Sequence, residues 1–282
     1  QGTYYGFGSV LAQAITTNGN GTKVTAVVSN GSQDNIEQMQ MNVAQLGFVQ
    51  SDVMSYAYNG ERLFEGFPYA DFSTVAALYM EQVQIVTCDP DIKSVADLEG
   101  KTVSIGASGS GVYYNALDIL AAYDLTEDDI NAQYQDFGAS ADALQDGKID
   151  AAFTVAGAPT TSITELDATA EFDMISLTPE AVEYLTTNYP FLVQEDLPAG
   201  TYPNNIDYDV TCVAVKAVLV ASEDLSEDFV YELLTQMFEN QESMAATQAK
   251  FQFLTLENAV AGVGDVPMHP GAEKFYTEKG VL

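Results

Sequence analysis

The sequence has 282 residues, and its 9 Lys plus Arg against 41 Asp plus Glu give a formal net charge of −32 at pH 7. That charge excludes direct nucleic-acid binding, because phosphate contacts need clustered Lys and Arg. It also disfavours contact with an anionic lipid surface. Hydrophobic residues make up 47% of the chain, enough for a folded core. No apolar run approaches the ~20 residues that cross a bilayer, so we expect no membrane insertion of this segment.

The residue inventory argues against most acid–base enzymes. Arg62 is the only arginine and His269 the only histidine, so a catalytic triad or a multi-histidine metal site would depend on one imidazole. Neither a calcium loop nor a zinc spacing is present, and we expect no metal and no cofactor. We interpret His269 as a structural hydrogen-bonding residue. Arg62 is interpreted as a surface residue, with neutralisation of a ligand carboxylate as the alternative.

The first residues, 2–8, indicate a turn that leads into a helix. A strand normally feeds such a turn in an α/β protein. We therefore expect a first strand, and any export signal, to lie upstream of residue 1.

Short apolar runs then alternate with helical patterns, which is typical of βα units and mostly parallel sheets. Strands are predicted at 24–28, 47–50, 75–79, 83–87, 101–105, 149–155 and 210–220. Helices are predicted from an N-cap at Ser32 to before Gly47, over 113–120, after Thr126, over 141–145, from Thr178 to before Pro190, and after an N-cap at Ser226. Two βα series with a late return to the first predict two lobes joined by crossing strands.

A glycine-rich loop lies between a predicted strand and a predicted helix. It reads Gly106-Ala107-Ser108-Gly109-Ser110-Gly111. Such a loop presents backbone N–H groups to an anion at the helix N-terminus. The glycine order is not that of a dinucleotide fingerprint, and no P-loop lysine follows. A site for an anion or polar ligand and a simple tight turn both remain open.

Other polar loops also follow predicted strands, and open α/β sheets bind ligands at the carboxyl ends of their strands. A single loop of this kind is usually a solvated turn, whereas several in both series predict a shared cleft. The candidate binding residues are Asn30, Ser32, Gln33 and Asn35 after one strand, Gln50, Ser51 and Asp52 after the next, then Tyr79, and Ala156 and Gly157 within 154–159.

Several segments together resemble the TAXI family, the TRAP-associated extracytoplasmic solute receptors. They are G-T-Y-Y at 2–5, G-S-Q-D-N at 31–35, V-Q-S-D at 49–52, L-Y-M-E at 78–81, D-L-E-G-K-T-V at 97–103, G-S-G at 109–111, D-G-K-I-D-A at 146–151, H-P-G-A at 269–272 and Y-T-E-K-G at 276–280. The D-L-x-G-K element is shared by many solute-binding proteins, and the H-P-G-A ending is more specific. Gly6-Phe7 and Met80 depart from the family, which often has proline there.

The resemblance implies an α/β, bilobal periplasmic-binding-protein fold (type II-like) with two crossing strands. Lobe 1 would comprise residues 1–87 and 211–282, and lobe 2 residues 88–210. The implied function is capture of a small solute by hinge closure and its delivery to a TRAP-type membrane permease. The receptor would be a monomer outside the cytoplasm, either periplasmic or lipid-anchored at the cell surface.

Small carboxylates or amino acids, such as glutamate or 2-oxoglutarate, are the leading solutes that the resemblance implies, with neutral polar solutes as the alternative. Helix N-termini at Ser108, Gly109, Ser110 and Gly111 and at Ser32 would hold the negative charge. Tyr4 and Tyr5 from one lobe and Tyr113 from the other would form part of the wall.

Cys88 and Cys212 are the only thiols, and the residues alone leave a disulfide and two free thiols open. Under the resemblance, the crossing strands lie side by side, which makes a disulfide between these cysteines plausible. The rival function is a ligand-binding sensor domain of a receptor. An enzyme on a related bilobal fold is less favoured because of the inventory above.

Overall fold

The computed structural model of the protein describes residues 2–18 and 21–282, without the side chain of Leu63. Within these residues the strands are β1 (Leu46–Gln50), β2 (Phe72–Thr87), β3 (Thr102–Ser104), β4 (Asn131–Gln133), β5 (Ala151–Ala156), β6 (Asp173–Met174), β7 (Val193–Gln194) and β8 (Val213–Ser222). The helices are α1 (Thr3–Asn18), α2 (Ser32–Gln40), α3 (Ser51–Asn59), α4 (Val112–Ala121), α5 (Phe137–Gln145), α6 (Thr161–Asp167), α7 (Pro179–Asn188), α8 (Glu227–Glu239), α9 (Gln241–Ala245), α10 (Leu256–Ala259) and α11 (Pro270–Lys279).

The chain divides into two compact units, each with its own core. The outer unit comprises Thr3–Tyr79 and Lys216–Leu282, and the middle unit comprises Met80–Val215 together with Gly2. The chain passes between the units within β2 and again within β8. The predicted lobe boundaries at 87/88 and 210/211 both fall inside the middle unit, because the chain changes units inside β2 and β8, whereas the predicted boundaries lie after the end of β2 and before the start of β8.

In the outer unit, β1 runs antiparallel to β8, with Gln50 opposite Ala217. The core packs α1, β2, β8, α8 and α11 together. Phe7 is fully buried and stacks on Phe251 with ring centroids 3.6 Å apart. A Cβ on Gly8 would lie 2.8 Å from Cε2 of Phe48, so glycine allows this close approach. The predicted turn over 2–8 is therefore wrong: α1 already begins at Thr3, and its glycines lie inside the helix.

In the middle unit, β5 pairs antiparallel with β2 and parallel with β3, and β4 continues the sheet parallel to β3. The short strands β6 and β7 add antiparallel pairs to β2 and β8. Two clusters of buried apolar side chains support this unit. Because β3, β4 and β5 are parallel, their carboxyl ends lie at one edge of the sheet.

Two of the predicted helix caps, at Thr178 and Ser226, are confirmed. Thr178 caps α7 by accepting a hydrogen bond from the N–H of Ala181 at 3.2 Å, and Pro179 occupies the first turn. Ser226 caps α8 by accepting from the N–H of Phe229 at 3.2 Å. These predictions succeed because a cap needs only residues within one helical turn.

The predicted strand at 24–28 is wrong. The segment has no regular secondary structure, and Val27 and Val28 are 61% and 73% exposed. Side chains of α2 already bind two backbone groups of β1, because Asn35 donates to the carbonyl of Phe48 and Ser32 accepts from the N–H of Gln50. An apolar run alone does not form a strand when it has no partner to pair with.

Three other predicted elements differ in extent. Helix α2 ends at Gln40 and leaves Val43 exposed, so the helix predicted to continue towards Gly47 is too long. The strands predicted at 75–79 and 83–87 are one strand, β2. The helix start at Thr126 yields one 3-10 turn, Glu127–Asp129, closed by a capping box between Thr126 and Asp129.

The imidazole of His269 is a structural hydrogen-bonding group, as predicted. Its side chain is 1% exposed at the N-terminus of α11. Nδ1 accepts from the N–H of Gly271 at 3.2 Å, and Nε2 lies 3.0 Å from the carbonyl of Leu225, to which it donates. Both ring nitrogens thus form hydrogen bonds with backbone groups.

We expect acidification to destabilise the protein through His269. Burial lowers the pKa of His269, so below about pH 6.5 the unfolded chain takes up the proton first. The contribution is complete above that pH and is lost as the pH falls through the folded pKa. Melting temperatures between neutral and mildly acidic pH should fall more steeply for the wild type than for His269→Asn. The asparagine retains a capping oxygen but does not titrate, and carboxylate titration is common to both proteins. Equal pH profiles would contradict the assignment.

Candidate functional site

Three loops of the middle unit follow parallel strands at one sheet edge. They are residues 105–111 after β3, 134–136 after β4 and 157–160 after β5. The predicted residues Ser108, Gly109, Ser110, Gly111, Ala156 and Gly157 lie in or beside the first and third of these loops. Neither 105–111 nor 156–160 contains a charged side chain. This edge therefore offers backbone and hydroxyl groups to a ligand and no formal cation of its own.

The glycine-rich loop brings the chain sharply into α4. Gly106 has φ of +89°, a conformation that favours glycine. The N–H of Ser110 donates to the carbonyl of Ala107 at 3.0 Å and closes a turn. Helix α4 then begins at Val112, with Gly111 as an N-cap that offers no side-chain hydrogen bond. The first N–H groups of α4 are consequently left to solvent or to a ligand.

Ser110 supplies a second sign of a ligand at this helix end. Its side chain is 6% exposed, and its Oγ is buried without a hydrogen-bond partner among the described residues. The Oε1 atom of Gln135, in the loop after β4, is also buried and unpartnered there. Leaving a polar group in that state costs roughly 1–3 kcal/mol. A polar solute that bonds to these atoms would recover the cost.

Tyr113, predicted as part of the wall, lies half-buried in the first turn of α4. Its hydroxyl donates to Oε2 of Glu127 at 2.9 Å, and the hydroxyl of Tyr134 donates to the other oxygen of the same carboxylate. Burial raises the pKa of Tyr113, and the bond to Glu127 raises the pKa of Tyr134 to about 12. Both phenols are neutral at neutral pH, and their hydroxyl protons are already donated to Glu127.

The loop after β5 is held by side chains that the sequence analysis missed. The N–H of Ala158 donates to Oε1 of Gln82 at 3.1 Å, and the N–H of Thr160 donates to the hydroxyl oxygen of Tyr202 at 2.9 Å. Gln84 is fully buried beside them. The available signal was two glutamines two residues apart in the same strand, a spacing that places both amides on one face.

In the outer unit, the predicted residues of α2 hold that helix against β1. Ser32 accepts from the N–H of Gln50 at 3.1 Å, and Asn35 donates to the carbonyl of Phe48 at 2.6 Å. Gln33 donates to Oε1 of Glu37 at 2.9 Å. The prediction of Ser32 as N-cap is wrong, because Gly31 takes that position and Ser32 is the first residue of the helix.

Residues at the carboxyl end of β1 are buried. Gln50, Ser51 and Asp52 are 3%, 1% and 2% exposed. Asp52 lies in the first turn of α3, where its Oδ1 accepts from the N–H of Val53 at 2.8 Å. A carboxylate there is stabilised by the positive end of the helix dipole.

The remaining outer-unit candidates divide between core and surface. Tyr79 is 3% exposed and packs on Phe7, with ring centroids 5.5 Å apart. Tyr4 stacks on Phe48 at 5.8 Å, whereas Tyr5 is 50% exposed. The N–H of Asn30 donates to Oδ2 of Asp34 at 2.8 Å. Of Tyr4 and Tyr5, Tyr5 is thus the more exposed.

Arg62 lies in a 3-10 turn of the outer unit and is half-buried. Its guanidinium carbon sits 4.9 Å from the ring centroid of Tyr56, which is a cation–π arrangement.

Cys88 and Cys212 are both free thiols, so of the two alternatives left open by the sequence the structure has free thiols and not the disulfide that the resemblance made plausible. Both belong to the middle unit and pack in the same apolar cluster. Burial raises the pKa of Cys212 to about 12 and also raises the pKa of Cys88.

We expect two titratable thiols with unequal reactivity. The thiolate is the reacting form, and the higher pKa and deeper burial of Cys212 keep it protonated in the native protein. A thiol reagent at mildly alkaline pH should therefore modify Cys88 first, and both cysteines after denaturation. If no thiol reacts under denaturing, non-reducing conditions, the cysteines are bonded and the assignment fails.

A cavity of about 400 Å³ lies elsewhere, in the outer unit, lined by Ser73, Glu223, Leu225, Glu227, His269 and Pro270. Its polar groups are largely occupied. Glu227 pairs with Lys274 at 2.8 Å, and both nitrogens of His269 are bonded to backbone. We therefore assign no ligand to this cavity.

Residues 2–18 and 21–282 hold no group of three His, Cys, Asp or Glu arranged to bind a metal. No helix among them has the length and apolar character needed to cross a membrane.

The two α/β units, joined by two strands, have the bilobal fold of periplasmic solute-binding proteins, as predicted from the sequence. Over 96% of this chain and 80% of the other, it is similar to the alkanesulfonate-binding protein SsuA from Xanthomonas axonopodis pv. citri bound to MOPS, with 16% identity and a TM-score of 0.55. A protein of Bordetella bronchiseptica RB50 matches 99% of this chain and 94% of its own, with 12% identity and a TM-score of 0.60. The GluR0 ligand-binding core from Nostoc punctiforme in complex with L-glutamate matches 86% of this chain and 91% of its own, with 13% identity and a TM-score of 0.51.

The chain belongs to the NMT1-like family, whose sequence profile matches residues 1–280. This assignment is broader than the TAXI family that the sequence segments resemble.

Proposed function

We propose that this protein is an extracytoplasmic receptor for a small anionic solute, which it captures as its two units close. The observation that carries the proposal is the N-terminus of α4, which has no side-chain cap and follows Ser110, whose buried hydroxyl has no hydrogen-bond partner among the described residues. Oriented N–H donors and a helix dipole bind an anion without a formal cation. The solute itself favours the closed state to the extent that it binds that state more tightly.

A small carboxylate or amino acid, such as glutamate or 2-oxoglutarate, is the leading solute. Support comes from the TAXI-like segments and from two fold relatives, one described with L-glutamate and the other with the sulfonate MOPS. The unpartnered oxygen of Gln135 favours a solute that also carries a hydrogen-bond donor. An amino acid offers both groups.

The net charge of the protein gives a second way to distinguish an anionic solute from a neutral one. A net charge of −32 repels an anion at long range, and added salt screens that repulsion over about 8 Å at physiological ionic strength. We therefore expect the affinity for a carboxylate to rise as sodium chloride is added. The affinity for a neutral solute should change little.

Delivery to a TRAP-type membrane permease, from the periplasm or from a lipid-anchored position, is the transport role that the TAXI-like segments support. A sensor domain is the second candidate, favoured by the similarity to the GluR0 core. We expect no turnover of the bound solute, because one imidazole with both nitrogens bonded leaves no free general base of that type.

A thermal-shift panel tests the proposal with L-glutamate, 2-oxoglutarate, ethanesulfonate and a neutral sugar. A solute at a hundredfold excess over its dissociation constant stabilises the folded protein by ~2.7 kcal/mol. Ser110→Ala should weaken binding about tenfold, the value of one hydrogen bond to a charged group. The matched control is Ser222→Ala, which removes another buried hydroxyl at the end of β8 in the outer unit. A response to the sugar alone overturns the anionic class, and no response to any solute overturns the proposal as stated.

A further inference from the structure

The middle-unit part of β2 carries two buried amides. Gln82 is 8% exposed and Gln84 is 0% exposed. The strand register places Gln82 opposite Ala156 and Gln84 opposite Thr154 on β5. Burying an amide in this way is unfavourable unless its hydrogen bonds are made.

Gln84 forms a closed set of hydrogen bonds with Tyr202 and Thr160. Its Nε2 donates to Oγ1 of Thr160 at 3.0 Å and to the carbonyl of Ala156 at 3.2 Å. Its Oε1 accepts from the hydroxyl of Tyr202, and that hydroxyl oxygen accepts in turn from the N–H of Thr160 at 2.9 Å. Tyr202 and Gln84 are both fully buried.

Gln82 binds the same loop two residues earlier, at Ala158. Its Oε1 accepts from the N–H of Ala158 at 3.1 Å, and its Nε2 donates to Oε1 of Glu195 at 2.8 Å. Side chains thus hold backbone groups at residues 156, 158 and 160, the alternate residues where β5 ends and α6 has not begun. Residues 158 and 160 lie outside the bounds of β5 and α6, and there these side chains accept the hydrogen bonds of the backbone N–H groups.

We propose that Gln82, Gln84 and Tyr202 are positioning residues that fix the 157–160 loop in its solute-binding conformation. This inference rests on the proposed function, because the loop lies at the sheet edge assigned to the solute. Buried Gln84 and Tyr202 act through the loop backbone. Fixing the loop before binding removes the entropy cost of ordering it when the solute arrives.

Tyr202→Phe tests the loop directly, since it removes only the hydroxyl. Thr160 N–H loses its acceptor and Gln84 Oε1 loses its donor. Amide hydrogen exchange at residues 157, 158 and 160 should accelerate about tenfold, the equivalent of one hydrogen bond, with β5 amides unchanged. Should the variant fail to fold, Gln82→Met removes the acceptor of Ala158 N–H and should give the same local acceleration.

Tyr123→Phe is the matched control. The hydroxyl oxygen of Tyr123 accepts from the N–H of Thr178 at 3.0 Å, and Thr178 caps α7 just as Thr160 precedes α6 as its N-cap. The control should leave exchange in the 157–160 loop unchanged. Acceleration spread evenly over the middle unit in Tyr202→Phe would overturn the proposal, because the hydroxyl would then serve general stability.

Solute binding provides the second readout. For whichever of L-glutamate, 2-oxoglutarate or ethanesulfonate stabilises the wild type, Tyr202→Phe should weaken affinity by about fivefold to tenfold, with Tyr123→Phe unchanged. Unaltered affinity despite a mobile loop would overturn the positioning role. If the wild type binds none of them, the proposed function fails, while local acceleration of exchange would still support the loop-fixing part.

Discussion

Gly106→Ala should destabilise the protein by roughly 3 kcal/mol and abolish measurable solute binding. The residue has φ of +89°, and the left-handed region costs a residue with a Cβ about 1–2 kcal/mol. An added Cβ would also lie 2.5 Å from Cβ of Val112 and 2.7 Å from Oγ of Ser110. Such overpacking costs about 1–3 kcal/mol. Relief of the contact must move Ser110 or the start of α4, which are the groups assigned to the solute.

Gly147→Ala is the control for Gly106→Ala. Gly147 also has positive φ, +65°, but a Cβ there would meet nothing within 4 Å. We expect a loss of about 1 kcal/mol from backbone strain alone and unchanged solute affinity. Urea denaturation with calorimetric titration of each variant measures both quantities. Equal losses of stability at the two positions would contradict the close packing described around Gly106.

Phe251→Ala should lower the free energy of unfolding of the outer unit by about 3–5 kcal/mol, the usual cost of removing a buried phenylalanine. Phe251 is fully buried and stacked on Phe7, whose own ring contacts Phe48 and Tyr79. Truncation therefore leaves a cavity at the centre of an aromatic cluster that joins α1 to the sheet. Circular dichroism during urea denaturation reports the loss.

Phe253→Ala is the matched control for Phe251→Ala. Phe253 lies two residues away and is 43% exposed. Its ring meets Lys250 at 5.4 Å, a surface contact of low energy. We expect a change within about 0.5 kcal/mol. A comparable loss in both variants would show that burial does not distinguish the two phenylalanines.

Sequence reasoning succeeded where the determining interactions are local. The caps at Thr178 and Ser226 depend on residues three positions apart, so their patterns are visible in the chain. The glycine-rich loop was also recognisable, because a strand, a glycine that tolerates positive φ and a helix follow one another directly. Alternation of strands and helices was sufficient to predict the bilobal α/β class.

Predictions failed where tertiary partners decide the outcome. Residues 24–28 have the composition of a strand, yet α2 side chains bind the β1 backbone groups and the segment stays unpaired. Met80, Glu81 and Gln82 lie between the two strands predicted at 75–79 and 83–87. In the structure they join these into one strand, and Gln82 forms hydrogen bonds with Glu195 and Ala158.

The hydrogen bonds by which Gln82, Gln84 and Tyr202 hold the 157–160 loop could not be predicted from the sequence for the same reason. Gln84 and Tyr202 are 118 residues apart in the chain, and the sequence around each of them does not indicate that they are hydrogen-bonded. The predicted lobe boundary at 87/88 coincides with the end of β2, whereas the chain changes units earlier, inside that strand.

Amide chemical-shift mapping tests the central claim most directly. Isotope-labelled protein would be titrated separately with L-glutamate, 2-oxoglutarate and ethanesulfonate, with a neutral sugar as control. We expect the largest chemical-shift changes at the N–H groups of Gly109, Ser110, Gly111 and Val112, followed by those of Gly157 and Ala158. Shifts confined to the outer-unit cavity beside His269, or shifts with the sugar alone, would contradict it.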